Sequence, residues 1–248
     1  LFAQDYKSTA DVHVAYLNEY PYMFEENGKI VGIEADIFRE FTEWLRKHKQ
    51  IDAQLTFEAK TTFAEVYEAA KNEGEHIGSA SITITKERAE EVSFSPAYLK
   101  NASVLVTSSG VQTLENYGEI PEKFEGMTAL VRLGTTHEEE LKKIKAFHHP
   151  DMVVKYVDTK EDMKALLASE EGKYYAVVDL ITFWRWRTRD GLDVKMHSIA
   201  TVKNEEFGFA FNHASAWQLL FDEFFNTGFK FTARIEYQEI LEKYLGPE

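Results

Sequence analysis

Residues 79–98, SASITITKERAEEVSFSPAY, set the small hydroxyl side chains Ser79, Ser81, Thr83 and Thr85 just ahead of one arginine, Arg88. A guanidinium is a planar fork of donors that grips a carboxylate with two parallel hydrogen bonds. Hydroxyls and backbone N–H groups supply the other donors such an anion needs. The stretch offers both kinds within ten residues and leaves through Val92, Phe94, Pro96 and Tyr98. The chemistry this suits is capture of a small organic acid. Arg88 taken alone has a competing reading, as a surface residue paired with Glu87 or Glu91.

Four further positions carry charge or donors where a ligand would need them. Thr135 and Thr136, in RLGTTHEEE, follow an apolar run and open a helical one. A helix start presents backbone N–H groups to anions, and plain capping by a threonine explains the same letters. Asp179 ends YYAVVD, at the carboxyl end of a strand, where ligands bind in open α/β sheets. It also suits an N-cap. Arg132, ahead of Leu133 and Gly134, reaches an acidic or amide group or stands solvated at its strand end.

Known catalytic patterns are missing from the sequence. It has no G-x-S-x-G, no G-x-x-x-x-G-K-[ST], no G-x-G-x-x-G and no H-E-x-x-H. It has no cysteine, which excludes disulfides, thiol nucleophiles and thiolate metal sites. Adjacent His148 and His149 point apart in regular structure and have no second ligand pair spaced for zinc. The expectation is no cofactor and no metal. A net charge of −14 argues against nucleic acid, whose phosphates call for a basic patch. No apolar run approaches the ~18 residues of a membrane span. Leu1, Phe2 and Ala3 read as the tail of a secretory leader cleaved near Ala3, or as an arbitrary chain start.

Elements that would position these residues alternate along the 248-residue chain. Strands are expected at 13–17, 54–58, 77–81, 103–107, 128–133, 153–157, 174–179 and 207–211. Helices are expected between them: Ile37, Phe38, Phe41, Trp44 and Leu45 share one helical face, as do Phe63, Val66, Tyr67 and Ala70. A short helix over 85–91 has Thr85 as its N-cap. Later helices span 137–147, 161–167, 181–188, 217–225 and 235–245. Trp184-Arg185-Trp186-Arg187 reads as a packing face alternating with solvated arginines. Such alternation means βαβ units around mainly parallel sheets. Crossings near 103–110 and 198–209 divide the chain into lobe 1, residues 1–105 and 202–248, and lobe 2, residues 106–201. Two such lobes facing each other would make a cleft between them.

The order of these features resembles the amino-acid-binding group of periplasmic solute-binding proteins. Three places carry the resemblance: Gly32-Ile33-Glu34-Ala35-Asp36-Ile37 behind PYMFEENGKIV, the T-x-T-x-x-R and FSPAY run of 81–98 set against the family's F-S-x-P-Y, and Gly134-Thr135-Thr136. The resemblance implies a type II periplasmic-binding fold, two Rossmann-like α/β lobes joined by two hinge strands, closing on a ligand. It implies that Arg88, with Ser81 and Thr83, holds the ligand's α-carboxylate. Thr136, and with it Thr135, adds backbone N–H contacts. Asp179 binds the ammonium, although the family's frequent proline two residues on is missing. Tyr20 forms an aromatic wall, or packs in the core, with Tyr16 and Glu19 beside it. Leu17 stands where relatives often carry an acid. The implied role is a monomeric, extracytoplasmic amino-acid receptor serving a membrane ABC permease, without insertion into the membrane and without catalysis. A sensor module or a cyclohexadienyl-dehydratase-like enzyme, with Glu19 as its acid, shares the fold. The closing YQEILEKYLGPE suits a stand-alone protein rather than a sensor.

Overall fold

The computed structural model describes the backbone of residues 8–72 and 74–246, and the side chains of all of these but 199–204. Leu1–Ala3, read above as the end of a leader, lie outside the described residues. In chain order the elements begin with β1 (Ser8–Leu17), β2 (Phe24–Glu26), β3 (Lys29–Val31), α1 (Ile33–Trp44), β4 (Ile51–Lys60) and α2 (Phe63–Asn72). Then come β5 (His76–Ser79), α3 (Lys86–Ala89), β6 (Ser93–Phe94), β7 (Leu99–Ser108), α4 (Ile120–Lys123), β8 (Thr128–Val131) and α5 (Thr136–Phe147). The chain closes with β9 (Val153–Tyr156), α6 (Lys160–Ser169), β10 (Tyr174–Asp179), α7 (Leu180–Thr188), β11 (Val194–Phe207), β12 (Ala210–Phe211), α8 (Ala216–Asn226) and α9 (Ile235–Leu245).

These elements form two compact units, Leu1–Leu99 with Phe207–Glu248, and Lys100–Glu206. The divisions fall at 99/100 and 206/207, where the sequence suggested 105/106 and 201/202. The reason is hydrogen bonding: β7 and β11 are neighbours in the second unit's sheet, and almost all of each strand goes with it.

The first unit's sheet runs β4-β1-β5-β12-β6. β1 lies parallel to β4 and β5, and β12 runs antiparallel to β5 and β6. Successive residues of a strand face opposite sides, and β1 is covered on both. Ala15 and Leu17 pack with Phe63, Val66 and Ala70 of α2. An aromatic cluster links α1 to α8, with Phe41 stacked on Phe221 at 3.9 Å and Phe38 against Phe209 at 4.5 Å. The expected strand over 207–211 is broken, because Gly208 donates to the Ile82 carbonyl and Phe209 to the Ser95 hydroxyl.

The second unit's sheet runs β11-β7-β10-β8-β9, with β10 parallel to β8, β8 parallel to β9, and β10 antiparallel to β7. Its strands sort by parity into two cores. Leu105, Ala129, Val131, Tyr175 and Val177 face Phe124, Leu141 and Ile144. Val104, Val106, Leu130, Ala176 and Val178 face Met163, Phe183 and Trp186. The Trp-Arg repeat on α7 does not alternate as expected. Residues two apart on a helix point about 200° apart, so Trp186 is buried and Trp184 half exposed. Arg185 is not solvated either, since it pairs with Glu161 and Asp190. Among the described residues no helix is long and apolar enough to cross a membrane.

Candidate functional site

In the first unit the candidate residues are organised from a buried acid. Gly32 caps α1 at φ 124°, and a Cβ there would sit 2.3 Å from the Tyr22 carbonyl oxygen, so only glycine fits. That tight entry places Glu34 in the first turn, fully buried. Glu34 Oε2 accepts from the Ser79 hydroxyl at 2.5 Å, and Oε1 accepts from the Ser81 N–H at 2.7 Å and from the Tyr98 hydroxyl. Burial pushes the Glu34 carboxyl up, and these hydrogen bonds oppose the shift only in part. Asp36, two residues on, is held below the usual range. Burial raises it, but donors from Lys243, Tyr244 and Arg39 outweigh that effect.

Behind β5 the chain passes Ser81, held at φ 46°, and Thr83, which bridges Phe207. Thr85 caps α3 by accepting the Arg88 N–H at 3.2 Å, as its position in the sequence suggested. The half-buried Arg88 side chain turns back along this segment. Its Nη1 donates to the Thr83 carbonyl at 2.8 Å, and its guanidinium carbon lies 5.0 Å from the Phe63 ring centre and 5.7 Å from that of Tyr67. Glu91, one of its expected surface partners, is engaged by Lys71 at 2.9 Å and by the Tyr67 hydroxyl at 3.2 Å.

Tyr16 is buried near the end of β1, beside Ser79 in the strand register. Its ring meets Phe57 edge-on. Glu19 is buried in the turn that follows, where its backbone pairs with Met23. Tyr20 packs 4.9 Å from Phe24 and donates its hydroxyl to the Tyr244 carbonyl at 2.8 Å. Thus Ser81, Thr83 and Arg88 form one group, with Tyr16 a strand away, while Tyr20 is tied to α9.

In the second unit, β8 delivers a buried Arg132 whose carbonyl accepts the Thr135 hydroxyl at 2.8 Å. Gly134 follows at φ 76°. Thr135 caps α5 by accepting the Glu138 N–H at 3.3 Å, and Thr136 is the first helical residue. Glu138 returns the contact, accepting the Gly134 N–H at 2.8 Å, and it accepts the Tyr156 hydroxyl at 3.0 Å. The helix start is therefore organised by an acid of its own first turn.

Asp179 ends β10 and caps α7, accepting the Thr182 N–H at 2.9 Å through Oδ1. Its Oδ2 accepts the Thr182 hydroxyl at 2.8 Å and the Lys160 ammonium at 2.7 Å. Ser103, opposite Asp179 on β7, donates to Glu205 at 2.7 Å and lies 3.0 Å from His137 Nε2. Lys160 and Glu205 escaped the sequence reading. Each belongs to an element remote in sequence from its partner, and nothing in the local pattern marks it. A shallow pocket of about 110 Å³ in the first unit, lined by Trp44, Phe224, Phe231 and Arg234 among others, holds none of these residues.

Solved structures share this fold at low identity. An ancestral arginine-binding protein bound to arginine is 22% identical with a TM-score of 0.78, covering 95% of this chain and 98% of its own. The arginine-, lysine-, histidine-binding protein ArtJ from the thermophilic bacterium Geobacillus stearothermophilus is 20% identical with a TM-score of 0.74, covering 96% of each chain. The ancestral amino acid-binding protein AncCDT-1, a precursor of cyclohexadienyl dehydratase, is 18% identical with a TM-score of 0.76, covering 94% of this chain and 95% of its own. No curated protein matches by sequence. The sequence pattern of one family matches residues 12–247. The chain belongs to the bacterial extracellular solute-binding proteins, family 3.

Proposed function

We propose that this protein captures a small organic acid, an amino acid or a similar carboxylate, outside the cytoplasm and delivers it to a membrane permease of the ABC type. The observation that carries this reading is Arg88. Its guanidinium is half buried against Phe63 and Tyr67 and is oriented by the Thr83 carbonyl. It stands beside a backbone turn that Glu34 holds in place. A cation oriented in this way, with donors near it, is prepared for a carboxylate before the ligand arrives. The reading assigns Arg88, Ser81 and Thr83 of the first unit, and Thr135, Thr136 and Arg132 of the second, as ligand donors. Tyr16, Glu19 and Tyr20 flank them. It takes the protein to act as a periplasmic monomer that binds and does not transform its ligand.

The test is calorimetry on protein unfolded and refolded to strip any carried-over ligand. The panel is the twenty amino acids with 2-oxo, 2-hydroxy and cyclohexadienyl acids. At least one acid is expected to bind. Arg88→Ala should then weaken it by about 2 kcal/mol or more, roughly 30-fold, because a buried carboxylate loses its main partner. Unchanged affinity in folded Arg88→Ala protein would remove Arg88 from the site, and turnover of prephenate would replace the receptor reading with an enzymatic one.

A further inference from the structure

The surroundings of Asp179 in the second unit narrow the class of acid, and this inference rests on the carboxylate-capture reading above. Asp179 looks from the sequence like a receptor for a ligand's ammonium. In the structure its carboxylate is occupied. A carboxylate offers about four lone-pair sites, and the Thr182 N–H, the Thr182 hydroxyl and the Lys160 ammonium take three of them. Its charge is also cancelled by a protein cation 2.7 Å away, and both side chains are almost completely buried, at 4% exposure for Lys160 and 2% for Asp179.

Lys160 is not a loose side chain that a ligand could push aside. It is the first residue of α6, directly after Thr159, which caps the helix through a reciprocal hydrogen-bond pair with Asp162. Displacing its ammonium would leave a buried charge without its partner, which is strongly unfavourable. A ligand ammonium brought to Asp179 beside Lys160 would meet a like charge in a low-dielectric site, where repulsion is strong. The neighbouring acid is engaged as well. Glu205 accepts from Ser103 at 2.7 Å and Asn101 at 3.2 Å, both on Oε2, and burial pushes its carboxyl up.

We propose that the ligand is a small carboxylate without a cationic amino group on the carbon next to its carboxylate, and that Lys160, by occupying Asp179, is the residue that excludes α-amino acids. A 2-oxo acid, a 2-hydroxy acid or an acid unsubstituted at that carbon fits this description. Such a ligand keeps the carboxylate that Arg88 is arranged to hold and asks nothing of Asp179.

The experiment is calorimetry on stripped wild-type protein with matched trios: L-phenylalanine, phenylpyruvate and phenyllactate; L-glutamate, 2-oxoglutarate and 2-hydroxyglutarate; L-alanine, pyruvate and lactate. Prephenate is added alone. In at least one trio the acids without the amino group are expected to bind 10-fold or more tighter than the amino acid. Lys160→Met, or Lys160→Gln if the methionine variant does not fold, keeps the Asp179 carboxylate and should narrow that gap 10-fold or more. An amino acid that outbinds both partners in every trio that binds would overturn the inference while leaving carboxylate capture in place. Binding of no acid of either kind would overturn both. A gap unchanged in the folded variant would remove Lys160 from the selection.

Discussion

The carboxylate of Glu34 accepts the backbone N–H of Ser81 at 2.7 Å, 47 residues further along the chain. Through that bond the first turn of α1 sets the conformation of the segment leading to Arg88. Ser81 sits at φ 46°, a left-handed conformation unfavourable for a residue with a side chain. It persists because its N–H has a buried acceptor supplied by Glu34. The acid of the Gly32–Ile37 motif is thus a structural support for the segment that leads to Arg88.

Removing that support should be costly. Glu34→Ala leaves the Ser79 hydroxyl, the Ser81 N–H and the Tyr98 hydroxyl without their buried acceptor. The expected loss of stability is about 3 kcal/mol or more. Glu34→Gln keeps one oxygen and should lose about 1 kcal/mol, since a hydroxyl can reverse its role. Urea denaturation with an unchanged slope checks both values, and a neutral Glu34→Ala would mean Ser81 is held by something else.

Gly32 and Gly28 offer a matched comparison. Both have positive φ, at 124° and 75°. A Cβ on Gly32 would meet the Tyr22 backbone at 2.3 Å, while one on Gly28, in the turn between β2 and β3, would meet nothing within 4 Å. Gly28→Ala is expected to cost about 1 kcal/mol from backbone strain alone. Gly32→Ala should exceed about 3 kcal/mol or fail to fold, since the obstacle is main chain that cannot rotate away. Equal thermal midpoints for the two variants would contradict this.

His197 predicts a pH dependence. It is buried in the second unit, where its Nδ1 accepts the Leu114 N–H at 3.1 Å and its Nε2 lies 2.9 Å from the Thr107 hydroxyl. Protonating Nδ1 would set two N–H groups against each other. Burial, with Lys195 and Lys123 adding to it, lowers the pKa from 6.5 to about 4. In that window the unfolded chain binds the proton and the folded one does not, so stability rises with pH between about 4 and 6.5. This one group therefore removes about 3 kcal/mol on acidification across the window. Denaturation at a series of pH values should show a shallower slope for His197→Gln than for wild type, and identical slopes would argue against it.

Much of the architecture was legible because strand and helix periods differ. The spacing of Phe38, Phe41 and Trp44 marks a helix whichever partners it finds, and β10 was placed at 174–179 from its apolar run alone. The site was legible only where its members are neighbours in sequence. Thr83, Thr85 and Arg88 lie within a few residues of one another at the start of α3, and their mutual bonds follow from local geometry. Thr135 announced itself as a cap for the same reason. The Trp184–Arg187 repeat misled because an alternating pattern means one thing on a strand and another on a helix.

The sequence by itself determined the order of elements, the arginine with its hydroxyl companions, and the glycine ahead of the buried acid, since each is a property of a few adjacent residues. Only the tertiary structure decided what the charged groups face. Glu34 reads as a helix-start acid until β5 brings Ser79 and Ser81 to it. Asp179 reads as an available anion until α6 seats Lys160 against it from 19 residues away. A buried charge takes whichever partner the fold carries within reach, because desolvation makes an unpaired state prohibitive. That choice depends on distances through space, which no local pattern in the chain encodes.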